Sequence, residues 1–212
     1  MKKVLLLLLS VSLFSCSNDE DSAQPAPSNE IAYFRASLNG EALNYSQTSY
    51  TASSTHEYGY SNGFSMNGFD RAFYYGCVMR PTTSIEFYPQ IDLTFTGLIT
   101  TADYSAETAG FYDAFALTAL PTNFVTMAQE NDGVKGVYVH YESTDGTRYS
   151  SLSGDQTGST VAYTSSTSGT EGGLKTQTVT GTVSCKLYNE SNPSDVIVLT
   201  NGQYKLNYIE FD

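Results

Sequence analysis

The side chains that could do catalytic or metal chemistry are few in this sequence. Its two histidines, His56 and His140, have no partner at the spacing that metal sites use. The segment GFSMNG at positions 63–68 resembles a nucleophile elbow, but Asn67 stands where that motif requires glycine. The segment also lies among predicted strands, whereas an elbow joins a strand to a helix. We therefore predict no catalytic residue, no metal site and no cofactor.

Two clusters of acidic residues invite a calcium or glycosidase interpretation. They are ENDG at 130–133 and ESTDG at 142–146. Neither has the ligand spacing of a calcium-binding loop. The carboxylates that cleave glycosides must lie roughly 5–10 Å apart in space, which spacing along the chain does not establish. Both sequences are typical of turns, so we predict turns; enzymatic activity stays open, with a non-catalytic protein favoured.

Two cysteines, Cys77 and Cys185, lie on separate predicted strands and face the predicted core. In an oxidising compartment they could form a disulfide, which would close a loop of about 100 residues and stabilise the fold by roughly 4–5 kcal/mol. The alternative is two buried free thiols that pack as small apolar side chains. The sequence leaves both alternatives open.

Aromatic side chains give the stronger indication of a binding function. The chain has 17 tyrosines, 11 phenylalanines and no tryptophan. The segments YGYSNGF and AFYYGC place four tyrosines on adjacent predicted strands, so that at least one set points away from the core: Tyr58, Tyr60, Tyr74 and Tyr75. Exposed tyrosines can stack on sugar rings or anchor a protein partner. Because sugar platforms usually include tryptophan, the alternative is that these tyrosines only build strands.

The secondary structure that would position these residues is mostly strand, because apolar residues recur with a period of two along most of the chain from residue 31. The clearest run is TQTVTGTVSCKLYN at 176–189, with Val179, Val183 and Leu187 on one face. Three dipeptides that tolerate positive φ predict hairpins: Asn39-Gly40, Asp145-Gly146 and Asn201-Gly202. About ten strands at this spacing predict an all-β fold, either an antiparallel β-sandwich or a flattened barrel.

One segment has a helical rather than a two-residue period. SAETAGFYDAFALTAL begins with Ser105 as a capping residue, places Phe111 and Phe115 four residues apart, and ends before Pro121. We predict one short helix of two or three turns here. It would cover an open end of the sheet.

The first 15 residues have the form of an export signal. Lys2 and Lys3 precede an apolar run at 4–14, which is shorter than the roughly 20 residues that a membrane-spanning helix needs. The run ends in LFSC, with the small Ser15 directly before Cys16. This spelling resembles the lipobox of bacterial lipoproteins. The resemblance implies a signal peptide at 1–15 that is cleaved before Cys16, and a membrane anchor formed by lipid on that cysteine.

Residues 16–30, CSNDEDSAQPAPSNE, are rich in acids, serine and proline and predict a disordered tether. The acids that follow the first cysteine resemble the signal that carries lipoproteins of the Bacteroidota to the outer face of the outer membrane. The alternative is that they only keep the tether soluble. The segment DSA at 21–23 is similar to the O-glycosylation motif of that phylum, which implies Ser22 as a glycan acceptor.

The charge of the mature chain restricts its partners. Removal of residues 1–15 deletes two of the 10 basic residues and none of the 22 acidic ones, so the net charge changes from −12 to −14. Such a surface repels polyphosphate, and we predict that nucleic acid is not a partner.

Three blocks of the remaining sequence resemble uncharacterised small β-rich lipoproteins of Flavobacteria and related Bacteroidota: FRASLNGEALNY, GVYVHYESTDGTRYSS and VTGTVSCKLYNESNPSDVIVLTNGQYKLNY. The resemblance implies location and fold, and no chemistry. We therefore predict a single β domain at 31–212, anchored by lipid to the outer membrane and facing the cell exterior. Its predicted role is to bind a glycan or an envelope protein, or to be a structural component, without catalysis.

Two alternatives for the function stay open. One is a small carboxylate-based hydrolase that acts on glycans. The other is a β-barrel that binds a small apolar ligand, which requires a cavity that the many aromatic side chains leave unfilled. The sequence predicts no particular oligomeric state.

Overall fold

The computed structural model describes residues 29–48, 56–67, 70–81 and 89–211, apart from the side chains of 56–62 and 65–67. Within these ranges the chain forms ten strands and two helices, and all ten strands belong to one antiparallel sheet. The predicted all-β fold of about ten strands is confirmed, with one helix more than the sequence indicated.

In chain order the elements are β1 (Ala32–Leu38), β2 (Glu41–Gln47), β3 (His56–Asn67), β4 (Asp70–Pro81), β5 (Gln90–Thr101), α1 (Tyr104–Ala114), α2 (Met127–Asn131), β6 (Gly136–Glu142), β7 (Arg148–Ser150), β8 (Thr160–Glu171), β9 (Leu174–Asn189) and β10 (Val196–Ile209). Across the sheet the order is β2-β1-β10-β9-β7-β6-β5-β4-β3, and β8 pairs with β9 beside this path. The last strand of the chain therefore lies next to the first.

The sheet curls so that its two halves face each other, in a sandwich-like arrangement. Tyr208 of β10 packs against Phe95 of β5, with ring centroids 5.0 Å apart, although three strands separate β10 from β5 in the sheet order. The edge strands β2 and β3 approach each other, but no ladder joins them among the described residues. The sheet is not closed, so the flattened-barrel alternative is wrong.

Aromatic side chains fill the interior between the two halves. The largest fully buried aromatic side chains are Tyr75, Tyr204, Tyr208, Phe34, Phe73, Phe95, Phe111 and Phe115. Gly181, two residues from both Val179 and Val183 on β9, leaves room for the ring of Tyr204, whose hydroxyl would lie 2.6 Å from an added Cβ. These rings occupy the space in which the barrel hypothesis placed an apolar ligand.

Two of the three predicted hairpins are confirmed. Asn39 and Gly40, with φ of 50° and 91°, connect β1 to β2, and Asp145-Gly146 connects β6 to β7. Asn201-Gly202 is not a hairpin but a bulge inside the continuous strand β10, where Asn201 has φ of 53°. Because β1 and β9 pair with β10 on both sides of this point, the positive φ produces a bulge rather than a reversal.

The predicted helix is α1, and Phe111 and Phe115 are both fully buried under it. Its N-cap is Asp103 rather than Ser105: the Ser105 backbone N–H donates to Asp103 Oδ1 over 2.9 Å. The second helix, α2, was not predicted. It begins with a capping box between Thr126 and Gln129, and ENDG is therefore the end of a helix and the turn that follows it.

The two ends of the sheet can be named from where the chain enters. At the proximal end, Lys205 Nζ donates to the carbonyl oxygen of Glu30, just before β1, and the end of β10 lies alongside. At the distal end are the Asn39-Gly40 and Asp145-Gly146 hairpins. The seven residues of β1 alone separate the ends by about 23 Å. Neither helix in the described ranges is long and apolar enough to cross a membrane.

Candidate functional site

An open groove of about 350 Å³ lies at the distal end, between the β1–β2 hairpin and the β6–β7 hairpin. Its lining combines aromatic, aliphatic and polar side chains: Leu38, Asn39, Glu41, Ala42, Leu43, Tyr141, Ser143, Tyr149 and Ile197. We call it the distal groove. Two segments about a hundred residues apart in sequence form its walls, since β10 pairs with β1 and thereby brings the N-terminal hairpin to this end.

Two tyrosine rings form the aromatic part of the distal groove. Tyr141 and Tyr149 are direct cross-strand partners in the β6–β7 ladder, with ring centroids 6.3 Å apart and planes inclined by 35°. Both side chains are half-buried. Tyr149 Oη donates a hydrogen bond of 2.9 Å to Asp195 Oδ2, which fixes the orientation of that ring. Burial and then this hydrogen bond raise the pKa of Tyr149, so the ring stays neutral.

The Asp145-Gly146 turn holds these two rings opposite each other. Asp145 accepts hydrogen bonds from the Ser143 hydroxyl and, over 3.0 Å, from the Thr147 backbone N–H. These bonds lower the pKa of the Asp145 carboxyl to about 2. The carboxylate therefore stays ionised at neutral pH and locks the turn. The predicted turn at ESTDG is confirmed.

The electrostatic character of the distal groove is acidic. Burial raises the pKa of Tyr141, and the charges of Glu41 and Asp145 raise it further. Asp195 adds a third carboxylate at the hydroxyl of Tyr149. An anionic ligand would meet this negative field, whereas a neutral hydroxyl-rich ligand would find carboxylates that accept hydrogen bonds.

A smaller cavity of about 100 Å³ lies beside the distal groove and shares Tyr141 and Tyr149 with it. Its remaining lining, which we call the polar cluster, is Gln90, Asp92, His140, Glu142, Arg148 and Glu190. His140 lies between two carboxylates: its Nδ1 is 3.7 Å from Asp92 Oδ2 and its Nε2 is 3.7 Å from Glu190 Oε1. Burial lowers the pKa of His140, but the hydrogen bond and charge of Asp92, followed by Glu190, outweigh it and raise the pKa overall.

The carboxylates of the polar cluster are engaged by neighbouring groups. Glu142 accepts hydrogen bonds from Gln90 Nε2 over 3.1 Å and from Arg148 Nε over 3.3 Å. Asp92 accepts from the Thr94 hydroxyl over 3.3 Å. Across the described ranges, no three His, Cys, Asp or Glu side chains are placed to hold a metal ion. The cluster is therefore a set of paired charges beside the aromatic groove.

The four tyrosines predicted to form a binding face do not share one surface. Tyr75 is 1% exposed and its hydroxyl donates to the buried Glu107, so its place in an exposed face is a wrong prediction. Tyr74 points the opposite way, since successive strand residues alternate, and its ring covers Gly63 on β3. Tyr58 and Tyr60 lie on β3 in register with Met79 and Cys77, and their side chains are outside the described part.

The two core cysteines are free, so the structure has the second of the predicted alternatives. Asn207 of β10 donates its backbone N–H to Cys77, whereas Cys185 is in register with Leu199 of the same strand. These two points lie about 25 Å apart along β10, far beyond the roughly 4–7 Å between the Cα atoms of a disulfide. Burial raises the pKa of both thiols to about 12.

Cys16 and Ser22, the predicted lipid and glycan attachment sites, lie outside the described residues. The two tyrosines of the distal groove were not predicted as a pair, although both flank a predicted turn. Tyr141 and Tyr149 each lie four residues from Asp145, on either side of a predicted Asp-Gly hairpin. They pair because the loop closes between Ser143 and Thr147, whereas a two-residue turn at Asp145-Gly146 would pair Tyr141 with Ser150.

Comparisons with protein-family models, with curated proteins and with solved structures each give no match. The class that the fold and site define is an all-β domain, sandwich-like, with an aromatic groove at the end opposite the point where the chain enters.

Proposed function

We propose that the protein is a lipid-anchored surface module of the outer membrane that binds a neutral glycan in the distal groove without catalysing its cleavage. One observation carries the proposal. The groove with the Tyr141 and Tyr149 rings lies at the end of the sheet opposite to Glu30. A chain tethered through its N-terminus would therefore present this groove away from the membrane.

The sequence of the first 30 residues supports the lipid anchor. The lysines and apolar run before LFSC, the acids after Cys16 and the polar tether at 16–30 are the features of a surface-exported lipoprotein. Two or more acyl chains on one cysteine attach a protein stably to a bilayer.

The chemistry of the distal groove supports a glycan as its ligand. A sugar ring can lie on the half-exposed faces of Tyr141 and Tyr149, and its hydroxyls can donate to Glu41 and Asp195. The acidic field of the groove and the net charge of −14 of the mature chain, 8 basic against 22 acidic residues, favour a neutral sugar over a uronate or phosphate.

The test uses the mature chain, residues 16–212, on an array of neutral gluco-, manno- and xylo-oligosaccharides. We expect the wild-type chain to bind members of one series. Tyr149→Ala should weaken that binding at least tenfold, while Tyr149→Phe, which keeps the ring, should stay within threefold. Tyr104→Ala, at the proximal end, is the matched control and should not change it. An array without wild-type binding, or an unchanged affinity in Tyr149→Ala, would contradict the proposal.

The polar cluster favours a second candidate, a glycan hydrolase that uses Asp92 and Glu190 on either side of His140. It ranks lower because these carboxylates are engaged by His140 and Thr94. Reducing-end release from the bound oligosaccharide, lost in both Asp92→Asn and Glu190→Gln, would establish it. Intact oligosaccharide after prolonged incubation would exclude it for that sugar.

A further inference from the structure

Three aromatic rings and one arginine form an exposed patch at the proximal end. Phe64 and Tyr104 are 39% and 40% exposed, and Phe211 is half-buried beside them. The ring centroid of Phe64 lies 5.8 Å from that of Tyr104 and 6.3 Å from that of Phe211. We call these three residues with Arg71 the proximal patch.

Arg71 places a cation directly on the aromatic rings. Its guanidinium carbon lies 4.5 Å from the ring centre of Tyr104 and 5.3 Å from that of Phe64. Its Nη1 donates to the carbonyl oxygen of Ala102 over 2.9 Å, which holds the side chain in place. A cation that is fixed on exposed rings is an amphipathic surface, apolar between the rings and positive at its rim.

An apolar groove of about 430 Å³ extends the proximal patch along α1. It is lined by Tyr104, Ser105, Thr108 and Phe211. Lys175 reaches its far side, where Nζ donates to the carbonyl oxygen of Thr108.

The proximal end carries half of the eight basic residues outside the leader. These four are Arg35, Arg71, Lys175 and Lys205. Two nearby acids are paired, Glu30 with Arg35 and Glu210 with Lys175, and two exposed acids, Asp70 and Asp103, lie beside Arg71. The lining of the distal groove, by comparison, contains Glu41 and no lysine or arginine.

The chain outside the structure reaches the molecule at this same end. The segment before Asn29 joins the domain beside Lys205 of β10. Phe211 lies six residues later, just after the end of β10 and at most about 20 Å away. If residues 16–28 form the tether that the sequence predicts, they would span about 20 Å on average. An anchor at Cys16 would therefore hold the proximal patch within reach of the bilayer surface.

We propose that the proximal patch is a lipid-binding surface that inserts into the interface of the membrane to which the chain is anchored. The rings of Phe64, Tyr104 and Phe211 lie at the boundary of headgroups and acyl chains, and Arg71 and Lys175 contact lipid phosphates. This inference rests on the anchor at Cys16 in the proposed function. It orients the distal groove toward the exterior.

The chain contains no tryptophan, which makes a single introduced tryptophan a clean reporter of membrane depth. The experiment uses residues 16–212 with Tyr104→Trp, and as the matched variant the same chain with Tyr149→Trp at the distal end. Each is coupled through Cys16 to maleimide lipid in vesicles of phosphatidylcholine and phosphatidylglycerol at four to one. Since Cys77 and Cys185 are buried, coupling is directed to Cys16, and Cys16→Ala is the coupling control.

We expect brominated acyl chains to quench the tryptophan of Tyr104→Trp at least threefold more than that of Tyr149→Trp, and Arg71→Glu to reduce the difference. Phe64→Trp is a second proximal reporter in case Tyr104→Trp does not fold. Equal quenching at both ends, or stronger quenching at the distal end, would overturn the inference.

Because the chain is coupled to lipid chemically, the quenching experiment does not depend on whether the natural lipid anchor exists. Because maleimide lipid replaces enzymatic acylation, quenching tests the patch alone. Fractionation of cells that express Cys16→Ala tests the anchor: release of that variant from membranes supports lipid attachment, and its retention contradicts the proposed function while leaving the quenching result intact.

Discussion

The two ends of one sheet use the same residue types for different purposes. At the proximal end, Phe111 and Phe115 are buried beneath α1 against Tyr75, with ring centroids 4.9–5.4 Å apart. At the distal end, Tyr141 and Tyr149 are farther apart and half-exposed along an open groove. Aromatic content therefore does not reveal a binding site by itself. What matters is whether another element of the fold packs over the rings.

The carboxylates differ between the ends in the same way. Glu107 at the proximal end is fully buried, and burial raises its pKa. Asp145 at the distal end is exposed in a turn, and hydrogen bonds lower its pKa to about 2. One acid favours the neutral form and belongs to the core. The other stays ionised and belongs to the surface that a ligand would meet.

The largest expected effect follows from removing a ring at the proximal end. Phe111→Ala should lower the free energy of unfolding by about 3–5 kcal/mol, because it leaves a cavity among Tyr75, Tyr112 and Phe115. The matched distal variant, Tyr149→Ala, should cost less than about 1 kcal/mol because its ring is only half-buried. Urea titration measures both. Equal losses of stability in the two variants would contradict this difference between the two ends.

An intermediate effect is expected from Glu107. Its pKa is raised in the folded state above the ordinary value of 4.5, so protonated Glu107 stabilises the fold below that pH. This stabilisation is lost as pH rises through the raised pKa, by about 1.4 kcal/mol for each pH unit of elevation. Glu107→Gln should remove that slope in urea titrations between pH 4 and 8. Asp113→Asn, an exposed acid on the same helix, is the control and should keep it; a slope that persists in Glu107→Gln would contradict the assignment.

The smallest effect is expected at the distal turn. The pKa of Asp145 is lowered from 3.8 to about 2, so its stabilisation is present above pH 3.8 and is lost as pH falls through about 2. Asp145→Asn should lower the melting temperature slightly at pH 7, and the difference from wild type should vanish near pH 2. A difference of the same size at both pH values would mean that the charge of Asp145 does not hold the turn.

The sequence predicted the local structures that depend only on neighbouring residues. Alternation in β9, the Asn39-Gly40 hairpin and the helix with Phe111 and Phe115 all depend on local spacing, and all were predicted correctly. The Asn201-Gly202 bulge depends on the pairing of β10 with both β9 and β1, and β1 is remote in sequence. The burial of Tyr75 likewise depends on Glu107 of α1, 32 residues away.

The candidate site could be predicted only in its parts. One wall, with Tyr141 and Tyr149, lies on the predicted hairpin, but the pairing of the two rings depends on a loop longer than the Asp-Gly dipeptide. The other wall, with Leu38 and Glu41, comes from the first hairpin of the chain. The pairing of β10 with β1 brings the two together, and no local pattern encodes that pairing.

Hydrogen exchange on the vesicle-coupled chain, with and without the oligosaccharide bound on the array, tests the separate roles of the two ends most directly. Coupling to lipid should slow exchange in α1, at the proximal end, and leave the β6–β7 hairpin unchanged. Adding the oligosaccharide should then slow exchange in the β6–β7 hairpin and leave α1 unchanged. Protection by lipid and by sugar at the same end, or at the opposite ends from these, would contradict the account.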